Sequence, residues 1–148
     1  MKTTYISIIA CLLLGMAVLF FSGCGGEPQE AELDVSNLEY TIVQEGRHLH
    51  SVKVTGTLRN VGNVDVSDVV LTGDCLSCVG SVRAGNWFLT DHQKADAQSD
   101  VIRFLGRGER SNFEFQGLAY YSTGGGAEPP DALPADLSVY VDTYTIGN

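Results

Sequence analysis

The chain has 148 residues, with 18 acidic and nine basic side chains and a formal net charge of −9. That length suits one domain and is too short for two comfortable ones. All the acidic residues but only eight of the basic ones follow residue 23, so the later part carries about −10, a field that repels polyphosphate and anionic headgroups and excludes nucleic acid as an expected partner.

The chain opens with a targeting pattern. Lys2 sits beside the N-terminal amine, and residues 5–21 are apolar apart from Ser7, with Cys11 and Gly15 inside the run. The run has the length of a signal h-region or a short membrane span. Small Ser22 and Gly23 stand directly before Cys24. Signal cleavage needs small side chains there, because they enter a narrow protease subsite. The stretch Leu19-Phe20-Phe21-Ser22-Gly23-Cys24 resembles the lipobox of bacterial lipoproteins, with Phe21 where that family usually has leucine. The resemblance implies that residues 1–23 are removed and that Cys24 becomes thioether-linked to diacylglycerol. The membrane is then a partner through the lipid on Cys24. One acyl chain holds only marginally, at roughly 0.8 kcal/mol per buried CH₂, so two or three chains are needed. Gly25 follows Cys24 where an Asp would retain such proteins at the inner membrane. In an organism with two membranes the resemblance therefore favours the outer membrane, facing the periplasm. The alternative is an uncleaved anchor with Cys24 as a plain thiol.

Residues 24–32 include two glycines and a proline without periodicity and read as a flexible spacer. A single domain is expected over residues 33–148. Residues 33–35 and 38–43 read as one strand or two short ones, followed by a turn over 44–47. Residues 48–60 give the clearest strand, with Val52, Val54, Gly56 and Leu58 alternating against polar neighbours. Gly56 on the apolar side suggests a close approach or a bulge. After a turn at 60–63, Val64 and Val66 share one phase while Val69 and Leu71 share the other, which predicts a bulge near Ser67-Asp68. Residues 72–86 hold a cysteine pair among glycines. Strands are expected at 87–93 and 101–105, with a loop over 94–100 between them and a turn at 106–109. Phe113, Phe115 and Gly117 mark a strand within 111–121. A long Gly- and Pro-rich loop, 122–135, precedes a last strand carrying Leu137, Val139 and Val141.

Six to eight short strands with no strong amphipathic helix predict an all-β fold. Each strand with one apolar face must bury it against a second layer. We expect an antiparallel β-sandwich of immunoglobulin-like or related topology, with a small β-barrel as the runner-up. Gly56, Leu58 and Asn60, then Val64, Val66 and Val69, then Leu105, Gly108, Glu109 and Phe113 resemble the FxLYD-type exported β-sandwich domains. Arg107 stands where that family often has proline. The resemblance implies a non-enzymatic extracytoplasmic module.

Cys75-Leu76-Ser77-Cys78 is the strongest local chemical signal. With Cys11 removed and Cys24 acylated, Cys75 and Cys78 remain, in a compartment that permits disulfides. They are expected to form a structural disulfide that sets the local shape of a loop. A thioredoxin-like redox pair would need the first thiol at a helix N-terminus, and no βαβ pattern surrounds it. A metal site would need further ligands, of which His92 is the nearest in sequence. His48 and His50 fall on one side of a strand if the alternation begins there, and read as a solvated pair. His92 beside Asp91 lacks a nucleophile assigned by sequence, and Asp65, Asp68 and Asp74 lack EF-hand spacing. No catalytic residue, cofactor or metal is therefore expected. Tyr120, Tyr121, Tyr140 and Tyr144 could bury in strands or line a recognition surface.

The expected function is a lipid-anchored accessory or binding module of the cell envelope, without catalytic activity, that meets an envelope protein or a glycan through its long loops. The alternatives are a structural envelope component assembled through protein contacts, and a small metal-binding or redox protein using Cys75 and Cys78.

Overall fold

The computed structural model describes residues 29–89 and 97–147. Cys24, the segment before it and His92 lie outside those residues. Among the described residues there are eight strands: β1 (Leu33–Gln44), β2 (Leu49–Asn60), β3 (Val66–Cys75), β4 (Trp87–Phe88), β5 (Ser99–Leu105), β6 (Arg110–Phe115), β7 (Tyr120–Ser122) and β8 (Leu137–Ile146). They form two antiparallel sheets. One runs β1-β2-β7-β4, with β6 also paired to β2, and the other runs β5-β3-β8. The sheets are separate and pack through one apolar core, as a sandwich does and a closed barrel does not.

β2 is the spine of the larger sheet. β6 pairs with its second half (Val54 to Arg59) and β7 with its first (Leu49 to Ser51). The two short strands are therefore halves of one interrupted strand. Between them the chain steps out at Gly117, at φ 82°, and returns through Leu118 N–H to the Val52 carbonyl (3.1 Å) and Val52 N–H to the Ala119 carbonyl (2.8 Å).

The alternation along β2 places Val52, Val54 and Leu58 in the core with no exposed surface. Opposite them lie Val66, Val69 and Leu71 of β3, with Leu118 between the layers. Gly56 makes the close approach expected of it. A Cβ there would stand 2.5 Å from Phe113 Cζ, so the Phe113 ring occupies the space a side chain would need. The phase change in β3 sits at Asp68, at φ 49°, which lets Val66 and Val69 both point inward. β5 makes the matching change, with Ile102 opposite Val69 and Leu105 opposite Val66.

Three segments differ from the sequence reading. β3 continues past Leu71 to Cys75, because Thr72 to Cys75 pair with β8 (Tyr140 to Leu137). The strand expected at 87–93 is Trp87–Phe88 among the described residues, with Leu89 N–H donating to the Val79 carbonyl as part of a parallel bridge between Val79 and Phe88. Ser99 and Asp100, placed in a loop by their polarity, open β5 because β3 lies beside them. β1 is one strand, with a register shift between Ser36 and Glu39 where Asn37 takes φ 54°.

Asn60 knits one end of the sandwich. Its buried side-chain Nδ2 donates to the carbonyls of Val64 (2.7 Å) and Leu105 (3.1 Å), and its Oδ1 accepts from Gly62 N–H. The chain enters at this end. Val61 and Gly62 N–H donate to the Glu32 carbonyl, and Asn63 exchanges bonds with Glu30. The strap passes so close that a Cβ on Gly62 would meet the backbone of Glu30 and Glu32.

The two flanks of the sandwich differ. Along β5 and β6, Ile102, Leu105, Phe113 and Phe115 are buried, and Glu114 N–H donates to Asp100 across the gap between sheets. Along β1 and β8, which face one another, Leu33, Val35, Leu38, Tyr40, Val139 and Val141 are only partly covered.

Candidate functional site at the loop end

The end opposite Asn60 gathers the turn between β1 and β2, the long connection after Cys75 and the loop before β8. Cys75 closes β3, and Cys78 bonds to it as a disulfide with a Cα–Cα distance of 5.5 Å. The ring is a turn, with Cys78 N–H donating to the Cys75 carbonyl (3.3 Å) and no helix following. Its sulfurs lie against the core, with Cys75 buried and Cys78 packed on it, while Leu76 and Ser77 face outward as a clamp. The Ser77 hydroxyl donates to the Ala135 carbonyl, and Leu76 N–H donates to the Asp136 carbonyl (3.1 Å). The disulfide thereby fixes the residues that feed β8.

Beyond the ring the chain runs beside β4. Val79 N–H donates to the Trp87 carbonyl and Leu89 N–H to the Val79 carbonyl, both at 3.0 Å. Gly85, at φ 76°, turns the chain so that its N–H reaches the Ser122 carbonyl (2.9 Å). β4 then pairs with β7, which sets Trp87 edge-on to Tyr121 at 5.3 Å between centroids and stacks Phe88 on Tyr120 at 6.1 Å. The indole N–H of Trp87 donates to the Ala132 carbonyl (3.1 Å), tying the proline-containing loop to the aromatic pair.

Between these parts lies a cleft of about 270 Å³, lined by Ser77, Val79, Asn86, Trp87, Tyr121 and Pro134 among others. Leu76 (78% exposed), Val82 and Leu133 stand out from the same loops. Aromatic rings, a proline and small amide and hydroxyl groups suit an uncharged saccharide face or an extended peptide. A larger hollow of about 550 Å³ lies on the polar face of β2 and β6, lined by Thr55, Thr57, Asn112 and Glu114 among others. Its carboxylates are already engaged, Asp100 by the N–H groups of Val101 and Glu114, and Glu114 by Lys53 at 2.6 Å.

Comparison of the chain with protein-family models, with curated proteins and with solved structures finds no match.

The two histidines do not form a same-face pair. β2 begins at Leu49, which leaves His48 exposed in the turn, its Nδ1 3.5 Å from the Thr123 hydroxyl. His50 is buried opposite Tyr121, and its Nδ1 finds no partner among the described residues. No three His, Cys, Asp or Glu side chains converge among the described residues. Burial and the Glu45 carboxylate both push the Tyr120 phenol above the usual tyrosine value, and burial does the same to Tyr40. The sequence reading marked the cysteine pair, the aromatics and the long loop separately. It missed that Trp87, Tyr121 and the disulfide ring share one cleft, because the β4–β7 pairing that joins them spans more than 30 residues of chain.

Proposed function

We propose that the protein is a lipid-anchored binding module of the cell envelope that presents the disulfide-clamped loop end to a glycan or protein ligand and performs no catalysis. The observation that carries this reading is polarity along the long axis. The chain enters at the Asn60 end, while the cleft holding Trp87 and Tyr121 lies at the other. An anchor on Cys24 would stand six residues before Glu30, whose backbone is bonded to Asn63. Six peptide steps reach at most about 20 Å, so the cleft would face away from the bilayer. The two-sheet architecture supports an immunoglobulin-like or related topology, and the FxLYD-type resemblance points to an exported, non-enzymatic module of that kind. Nucleic acid remains excluded on charge, and outer-membrane placement facing the periplasm follows from Gly25 where two membranes exist.

The test is photocrosslinking from probes at Leu76 and Leu133 in native envelope, compared with a probe at Thr41 on the outer face of β1. Adducts confined to the loop-end probes support the reading. Equal labelling from all three, or none, overturns it. The anchor is tested separately: the membrane-purified protein should have lost residues 1–23 and gained acyl groups on Cys24, and an unmodified full-length mass would sink that part.

A further inference from the structure

We propose that the turn between β5 and β6, with Arg59 beside it, seats the domain on the lipid phosphates of the bilayer that holds it, with Phe104 set among the headgroups. The proposal rests on the anchor at Cys24 and extends it from a tether to an oriented contact.

The first observation is the make-up of the turn. Residues 103–110 read Arg-Phe-Leu-Gly-Arg-Gly-Glu-Arg, with three arginines, in a chain of net charge −9. Leu105 packs in the core and fixes the turn, while Phe104 beside it is 60% exposed, the most exposed aromatic side chain among the described residues. An exposed phenylalanine flanked by arginines suits a lipid surface, where the ring enters the apolar boundary and the guanidinium groups meet phosphate.

The second is a set of arginines without carboxylate partners. Arg110 opens β6 directly opposite Arg59 on β2, and both are exposed. Like charges directly opposed across a sheet are destabilising, and a bound phosphate between them removes the cost. Among the described residues the ion pairs are Lys53 with Glu114 and Arg107 with Asp65, so Arg59, Arg103 and Arg110 have none. The nearby carboxylates are engaged or spaced away. Asp65 holds the Arg107 N–H and its guanidinium, and Glu109 accepts from Gly106 N–H (2.8 Å). Asp34 stands opposite Arg59 without pairing to it, and Asp68 sits in the β3 bulge across from Arg103. Four arginines thus meet four carboxylates at this corner, and the acidic surplus of about ten lies elsewhere on the domain.

The third is position, and it names the occupant. Asn60 N–H donates to the Glu109 carbonyl (3.0 Å) and its carbonyl accepts from Gly108 N–H (2.9 Å), so the turn is joined to the end where the strap enters. A tether of six residues from Cys24 to Glu30 holds that end beside the headgroups at high effective concentration. The strap itself carries Glu30 and Glu32, which leaves the β5–β6 side as the face that meets phosphate. The charge of the whole domain repels anionic lipid, but exposed charges more than about 8 Å apart are largely screened at physiological salt. The turn therefore does not recruit the protein; it orients a chain that the lipid has already placed.

The test is tryptophan quenching in the acylated full chain, reconstituted into phosphatidylcholine vesicles brominated near the top of the acyl chains. The unaltered chain reports from Trp87, its single tryptophan, in the cleft at the far end. Trp87→Phe combined with Phe104→Trp moves the reporter to the turn. Its emission should fall to about half or less and shift to the blue, as for a ring about 5–10 Å inside the headgroup boundary, while Trp87 emission in the unaltered chain stays constant. Adding Arg59→Gln, Arg103→Gln and Arg110→Gln, all at exposed positions, should restore at least about two-thirds of the lost emission with a strand-dominated far-ultraviolet spectrum. An acylated chain whose reporter at position 104 is unquenched overturns the proposal and leaves the anchor standing. Equal quenching of Trp87, or quenching that survives the three arginine substitutions, does the same. An unmodified full-length mass overturns both.

Discussion

Asn60 concentrates more structure than any other polar side chain described. Its amide satisfies two buried carbonyls from different segments, those of Val64 and Leu105. Asn60→Ala strands both and should cost about 3 kcal/mol, since each buried unsatisfied group costs roughly 1–3 kcal/mol. That is a large share of a typical stability of about 5–15 kcal/mol, and denaturant titration would read it. Gly56 makes an opposite kind of prediction. Gly56→Ala forces the Phe113 ring to move and should cost about 1–3 kcal/mol by overpacking. Combined with Phe113→Leu, much of that loss should disappear, so a double-mutant cycle should show strong favourable coupling. If the two losses simply add, the close contact is not what requires glycine. The sequence marked Gly56 because it fell on the apolar phase of an otherwise clear strand. It also placed Asn60 in a turn, but could not show that its amide reaches across 45 residues to Leu105.

Tyr120 links one residue to solution behaviour. Its phenol is held above the usual value by burial and then by Glu45. The folded state thus binds the phenolic proton more tightly than the unfolded chain does. Its contribution is whole below about pH 10, the unfolded value, and is lost as pH rises through the higher folded value. Tyr120→Phe should therefore flatten the fall in stability above pH 10. Glu45→Gln should bring the phenol's absorbance titration down toward the ordinary midpoint.

Among the elements, the disulfide ring matters through what it clamps. A four-residue ring removes little chain entropy, at most about 2 kcal/mol on a loop-closure estimate. Reduction should leave the sandwich folded, with a small drop in midpoint. It should release the Ser77 and Leu76 bonds to the loop before β8 and change Trp87 fluorescence, because the Ala132 carbonyl that receives the indole N–H lies in that loop. Unfolding on mild reduction, or unchanged Trp87 emission, would contradict that division of labour. β6 and β7 show why element boundaries were harder to read. Their residues look like one stretch in sequence, yet Gly117 splits them and sends each half to a different part of β2. β3 shows the converse, since Gly73 falls among the glycines around the cysteine pair in sequence but sits within a strand that lies between β5 and β8.

At the scale of the whole molecule, charge and shape act differently. The excess of acidic residues sets the sign of the field around the molecule, whereas the sandwich fixes where its contacts can form. One end is closed by Asn60 and the incoming strap, the other carries the disulfide and the aromatic cleft, and one flank remains half-covered. A loop-end variant such as Trp87→Ala should weaken ligand capture while the far-ultraviolet spectrum stays strand-dominated. Photocrosslinking from Leu76 and Leu133 in that variant reads the loss.

Period-two alternation in β2 and β8 was sufficient to determine an all-β chain, because a half-buried strand needs apolar residues at every second position. The phase slip between Val66 and Val69 likewise disclosed the irregularity at Asp68, and two cysteines three apart were enough to indicate the ring. Tertiary structure alone decided the rest. Which strands pair is a contest among long-range contacts, and local sequence carries no record of its winner. That contest extended β3 to meet β8, buried His50 while leaving His48 in solvent, brought Trp87 to Tyr121, and left the flank of β1 and β8 half-covered.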